Sequence, residues 1–128
     1  MAPDDNVVDN ESIIQSVIEK ARDCAWKEEM VDLRLCYGKD ARPENRQFIR
    51  RNNIYPDEVH SALGNLRIED YCETSRETGK TDAYVFGIEF DEGLIAYFKV
   101  TFRSGVLVLS LHDPVRPMDF PYRRKKTQ

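Results

Sequence analysis

Only two histidines occur in the chain, and one of them, His112, closes an alternating apolar–polar stretch, "YFKVTFRSGVLVLSLHDP", at residues 97–114. Read as two strands folded back on each other, this stretch brings Tyr97, Lys99, Arg103 and His112 to one surface. An imidazole gives or takes a proton near neutrality. Lysine and arginine stabilise a phosphorane-like transition state, and a phenol donates a hydrogen bond to a phosphate oxygen or orients a nucleophile. The set has no metal ligands around it and suits cleavage of RNA, in which the ribose 2′-OH attacks its neighbouring phosphate while side chains move the protons. Tyr97 and His112 are then acid/base or phosphate-orienting candidates, with Lys99 and Arg103 as phosphate binders. The same residues would equally serve as the solvent face of an ordinary sheet.

Turn chemistry and apolar alternation set the expected register. A two-residue loop at Ser104-Gly105 pairs Arg103 with Val106, Phe102 with Leu107, Val100 with Leu109 and Phe98 with Leu111. A three-residue loop would put Leu109 and Leu111 on the polar side, because a one-residue slip flips every side chain. A three-residue loop at Asp91-Glu92-Gly93 pairs Phe90 with Leu94, Ile88 with Ala96 and Phe86 with Phe98. On the other face, Tyr97 should lie opposite His112 and Gly87, Lys99 opposite Ser110, and Glu89 diagonally. Directly opposed Cβ atoms are about 5 Å apart, so Tyr97 and His112 should touch or flank one small group. Gly87 is expected to leave open space beside the tyrosine ring.

The elements that carry these residues are readable in outline. "NESIIQSVIEKARDCAWK" places Ile13, Ile14, Val17, Ile18, Ala21, Cys24 and Ala25 on one helical face, with Asn10 as N-cap and Glu11 in the first turn. "MVDLRLCYG" alternates and predicts a half-buried strand ended by Gly38. "ENRQFIRRNN" predicts a short basic helix bearing Arg46, Arg50 and Arg51. "YPDEVHSALGNL" predicts a helix with Pro56 at its first position and Gly64 just past its end. His60, on this helix, reads as a satisfied surface or half-buried histidine. A polar loop is expected from about residue 73 to 82, then three strands from Ala83 onward. The fold class is therefore α+β, with N-terminal helices packed on one face of a C-terminal antiparallel β-sheet. Residues 1–10 read as a flexible acidic tail, 11–122 as one domain and 123–128 as a basic tail.

Bulk properties narrow the function classes. The 128 residues, 41% hydrophobic and 33% charged, suit one soluble globular domain. No apolar run approaches the ~20 residues of a membrane helix, and the N-terminus lacks the regions of a signal peptide, so a cytoplasmic protein without membrane association is expected. Cys24, Cys36 and Cys72 are odd in number, widely spaced and without a CxxC pair, which predicts buried reduced thiols rather than disulfides or zinc. Net charge is −4, but the ends differ: residues 1–11 are acidic, and residues 115–128 carry Arg116, Arg123, Arg124, Lys125 and Lys126. GxSxG, Gly-rich phosphate-loop and HExxH patterns are absent. Asp113 follows His112 directly along a strand and should point away from it.

Taken together, "LGNLRIEDY", "YVFGIEFDEGLIAYFKVTF" and "LVLSLHDPVRPMDFPYR" resemble the MqsR-like toxins of bacterial toxin–antitoxin modules. The resemblance spans roughly residues 30–122. Relatives show a leucine and an Asp-aromatic pair ending a helix, then "YxK" in a central strand, then "SFH" or "SFK", and some carry a proline–aromatic tail like "DFPYR". It implies a RelE-like fold and an mRNA interferase that inhibits translation, cuts RNA without needing the ribosome or a cofactor, and is held by a cognate antitoxin. The active-site tyrosine falls on Tyr97, the terminal-strand basic residue on His112 and the strand lysine on Lys99. Arg103, Arg46, Arg50, Lys80, Arg123 and Arg124 are the cations expected to hold RNA. Three positions depart. Glu73 stands where the family has a catalytic lysine, Asp82 or Ala83 where it has a glutamine, and Leu111 gives "SLH" for "SFH". Lys80, Arg76 or Arg46 would have to supply the charge missing at Glu73. The alternative reading is a non-catalytic RNA- or protein-binding module on the same fold, favoured by Glu73. A third is an interaction domain that docks through its acidic N-terminus.

Overall fold

Three helices form where periodicity and capping place them. In the computed structural model, which describes residues 5–77 and 79–123, helix α1 (Glu11–Ala25) starts at Asn10, whose side chain accepts the Ile13 N–H at 3.0 Å. Its buried stripe is Ile14, Ile18, Ala21, Cys24 and Ala25, while Ile13 faces outward. Helix α2 (Pro43–Asn52) uses Pro43 at its start and ends where Asn53 turns left-handed, with φ +52°. Helix α3 (Pro56–Gly64) includes Gly64 as its last residue instead of leaving it outside. A Cβ there would come within 3.3 Å of the Trp26 ring, so the glycine serves helix packing.

The sheet has six strands in the order β1-β3-β4-β5-β6-β2: β1 (Asp5–Val7), β2 (Val31–Asp32), β3 (Tyr71–Arg76), β4 (Ala83–Asp91), β5 (Leu94–Phe102) and β6 (Val106–His112). It is mixed α+β architecture, and the expectation of a wholly antiparallel sheet is corrected at one edge, where β2 runs parallel to β6. Phe86, Ile88, Ala96, Phe98, Val100, Val106, Val108 and Leu111 form one core with Ile14, Ile18, Phe48, Val59 and Leu63 of the helices. Among the described residues, no helix is long and apolar enough to cross a membrane.

Three segments differ from the expected elements. The strand expected over residues 31–37 stops after Asp32, whose carboxylate accepts the Arg34 N–H at 3.0 Å; Leu33 then accepts from Cys36 and Tyr37 in a turn. The loop expected from residue 73 is strand as far as Arg76. Its Thr74 occupies a core-facing position, where its hydroxyl lies 2.7 Å from that of buried Tyr71, so polar composition hid a paired strand. Finally, of the acidic tail expected over 1–10, the described residues 5–10 are not a flexible tail, because β1 pairs with β3. Asp9 is held from three sides: its N–H by Tyr71, its carbonyl by Tyr122 and its carboxylate by Arg76. Of the tail expected over 123–128, only Arg123 belongs to the described residues.

The β5–β6 hairpin departs from its expected register near the turn and rejoins it at the site. The loop is Arg103-Ser104-Gly105, so Phe102 pairs with Val106, Thr101 with Leu107 and Val100 with Val108. A bulge at Leu109 then adds one residue, and beyond it Lys99 faces Ser110, Phe98 faces Leu111 and Tyr97 faces His112, as expected. Leu107 consequently lies on the face of Thr101. Gly105 has φ +134° and packs so closely on the Met30 carbonyl that no side chain fits there. In the β4–β5 hairpin Ile88–Ala96 and Phe86–Phe98 pair as expected, but Phe90 is bulged and Asp91, not Phe90, opposes Leu94.

Candidate functional site

The Leu109 bulge decides where His112 points. Among the described residues, no strand lies beside the edge of β6 beyond Leu107; helix α2 takes that place. Asn45, fully buried on α2, donates its amide to the carbonyls of Leu35 (3.0 Å) and Leu109 (3.2 Å) and accepts the Leu111 N–H at 2.8 Å. One side chain thus supplies the partners that a neighbouring strand would have given. With a three-residue loop and no bulge, the alternation would turn His112 into the core; the bulge returns it to the face of Tyr97.

Tyr97 and His112 stack in parallel, with ring centroids 5.0 Å apart and planes 9° apart. Both line a cleft of about 540 Å³ whose sheet wall is Cys72, Glu73, Tyr97, Ser110 and His112. Its other wall is the segment after β6, including Val115, Arg116, Met118 and Asp119. The His112 Nδ1 lies 2.8 Å from the Asp113 carbonyl, which can only accept, so Nδ1 carries the hydrogen and Nε2 is left for a substrate. The Asp113 side chain does turn away, to an ion pair with Arg51.

Electrostatics in the cleft assign protonation states. Burial, then the charge of Glu73 and the neighbouring Cys72, push the Tyr97 phenol above its ordinary value, with Arg116 opposing them. Tyr97 therefore acts as a hydrogen-bond donor near neutrality. Burial and Glu73 also push the Cys72 thiol up, against the Asp119 backbone and Arg116, so this cysteine is a poor nucleophile although it lines the same cleft as His112. Glu73 itself receives a hydrogen bond from the Asn6 amide at 3.1 Å.

Five of the expected site residues fall into two neighbouring groups, Tyr97 with His112 and Lys99 with Arg103 and Lys80. Lys99 does not line the Tyr97–His112 cleft. One step along β5, it lines an adjacent cavity of about 390 Å³ with Arg42, Lys80 and Arg103, near Thr101 and Glu77. Arg46 reaches back to the Gly38 carbonyl at 3.0 Å, and Arg50 lies on the exposed side of α2; neither lines the cleft or the Lys99 cavity. Arg123 sits over the Phe120 ring, 4.0 Å from its centre, and lines a different, carboxylate-rich cavity with Glu58, Asp70, Glu89 and Asp91. Arg124 lies outside the described residues. The open space expected at Gly87 is filled: Phe120 lies against it so closely that a Cβ would stand 2.6 Å from the ring. Gly87 thus seats the segment that walls the cleft.

Sequence reasoning passed over four residues that matter here. Arg116 was visible only as one charge of a basic end, Arg42 only as a charge in the loop before the basic helix, and Arg51 as a charge of that helix. Asn45 had no signal: it sits in the first turn of α2, where asparagine is ordinary, and nothing local shows what it binds. His60 meets its expectation, half-buried with Nδ1 3.3 Å from the Ala25 carbonyl, and Cys24, Cys36 and Cys72 are all free and buried. Among the described residues, no three His, Cys, Asp or Glu side chains converge as a metal site. Comparison of the chain with known protein families, with characterised proteins and with solved structures finds no match.

Proposed function

We propose that the protein is an endoribonuclease of the toxin–antitoxin type, with a RelE-like fold, cutting mRNA by attack of the ribose 2′-OH and so inhibiting translation. The observation that carries this reading is the stacked Tyr97–His112 pair in a cleft that also holds Arg116. His112 offers Nε2 for proton transfer, protonated Tyr97 donates to a phosphate oxygen, and Arg116 meets the charge that develops on phosphorus. Lys99, Arg103, Arg42 and Lys80 line the next cavity along the same face, where the backbone of a bound strand would continue. A cognate antitoxin would have to cover this face to silence the enzyme. One specific observation favours a second reading: Glu73 places a negative charge in the cleft where relatives of the resembled family carry a lysine, as a binding module without catalysis would tolerate.

The test is incubation of a long unstructured RNA with the purified protein in EDTA, beside Tyr97→Phe and His112→Ala. Cuts at recurring sequences, 2′,3′-cyclic phosphate ends and loss in both variants support the ribonuclease. Intact RNA at high protein concentration, with all three proteins alike, rejects it and leaves the binding module.

A further inference from the structure

Resting on that ribonuclease reading, we infer that Glu73 is its general base and His112 its general acid, so that the acidic residue in the cleft is a working part of the site and not a lost lysine. Glu73 on β3 shares a row with Lys99 and Ser110, three strand spacings across and two residues along from His112 on β6, ~16 Å between backbones, and both line the same cleft. Entering and leaving oxygens lie on opposite sides of a phosphorus undergoing in-line displacement. A base and an acid at opposite ends of the sheet wall of one cleft can reach in from the two sides of a phosphate held between them, with Tyr97 on an intervening strand to hold a non-bridging oxygen. The Asn6 amide occupies Oε2 of Glu73 and leaves Oε1 free to accept a proton. Asp119 also lines the cleft, but it stands on the segment after β6 and is exposed, whereas Glu73 is set on a paired strand.

The step balances. The Glu73 carboxylate takes the 2′-OH proton as the 2′-oxygen bonds to phosphorus. The bond from phosphorus to the 5′-oxygen breaks, and that oxygen receives the Nε2 proton of a doubly protonated His112. The products are a 2′,3′-cyclic phosphate and a 5′-hydroxyl, leaving Glu73 protonated and His112 neutral until solvent exchanges both. Glu73 is faced by Asn6 from β1, Cys72 from its own strand, Tyr97 from β5, His112 from β6 and Arg116 and Asp119 from the walling segment. His112 is faced by Tyr97 and, on its other side, by Glu44, Arg51 and Asp113.

The experiment is kcat/KM for RNA cleavage from about pH 4.5 to 9, for wild type, Glu73→Gln, Glu73→Asp and Asp119→Asn, with binding of a 2′-deoxy oligonucleotide measured in parallel. General-base loss should lower the rate of Glu73→Gln by ~10²–10⁴-fold and remove the acidic limb of the bell-shaped profile. Glu73→Asp should keep that limb at reduced rate, and neither Glu73 variant should bind the oligonucleotide more weakly than wild type, since each keeps or lowers the negative charge of the cleft; loss of the limb in Asp119→Asn but not in Glu73→Gln would make Asp119 the base and overturn the assignment of Glu73. If Glu73→Gln cleaves within about threefold of wild type with its acidic limb intact, while Tyr97→Phe and His112→Ala are dead, the assignment of Glu73 is overturned and the ribonuclease stands. If wild type cuts no RNA at any pH, both fall.

Discussion

Replacing Asn45 with alanine tests the physical account of the site most directly, because one side chain, 64 and 66 residues in sequence from its partners on β6, is held responsible for the strand's geometry. Three hydrogen bonds are lost, but their acceptors and donor fare differently. The Leu35 carbonyl keeps the Arg42 N–H at 2.9 Å, and the Leu109 carbonyl keeps the Arg42 guanidinium at 3.3 Å. Only the Leu111 N–H is left buried without a partner. That orphan costs about 1–3 kcal/mol, and the two other bonds about 0.5–1.5 kcal/mol each at most; with partial relief from Arg42 the total is about 3 kcal/mol. Each kcal/mol moves Tm by roughly 3–5 °C in a chain of this size, so the midpoint should fall by about 10 °C. The Leu111 amide should also exchange with solvent faster than its neighbours on β5. Asn45→Asp should be worse than alanine at neutral pH, since its second oxygen would face two carbonyls, and it should recover as acid protonates it. Urea unfolding, thermal melts and amide hydrogen exchange read all three. A loss under about 1 kcal/mol with Leu111 protection unchanged would mean that the strand makes its own bulge, and the positioning role given to Asn45 would be wrong.

Two further perturbations follow from named contacts. Gly87→Ala puts a methyl group 2.6 Å from Phe120 Cζ, so the segment after β6 should lift from the sheet and become more open to limited proteolysis, at about 1–3 kcal/mol; the double variant with Phe120→Ala should lose less than the sum of the single changes. Burial pushes the Cys36 thiol up to about 12 from 9.0, against the pull of Arg42, and raises its neighbour Tyr37 in the same direction. A raised folded-state pKa gives stability that is complete below pH 9.0 and is lost as pH rises from there toward about 12, because the unfolded chain ionises first. Urea midpoints should therefore decline across that window, and Cys36→Ala, though weaker below it, should decline less steeply; parallel declines would remove Cys36 as the cause.

The division between sequence and tertiary structure follows the range of the interactions involved. Helix α1 was legible from its start at Asn10, because capping and a 3.6-residue apolar period are satisfied within a few turns of one segment. The central pairs Ile88–Ala96, Phe86–Phe98 and Tyr97–Gly87 were legible for the same kind of reason: alternation allows only one register that buries the apolar set. Tyr97–His112 was also expected, but it is reached by a different route, a longer loop offset by a bulge. Alternation records which face a residue takes and is blind to a compensating pair of one-residue shifts. What made those shifts possible, the Asn45 side chain on β6, is a contact across 64–66 residues with no local trace. Strands β1 and β3 were hidden because Arg76 and Asp9 pair across the chain and Thr74 meets the hydroxyl of buried Tyr71, so that each looks like loop composition when read singly. The seating of Phe120 on Gly87 likewise exists only once the sheet does. A residue's type states what chemistry it could do, but which groups share one cleft (Glu73 and Arg116 with Tyr97 and His112, Lys99 in the cavity beside it) was decided by packing between segments that the sequence places far apart.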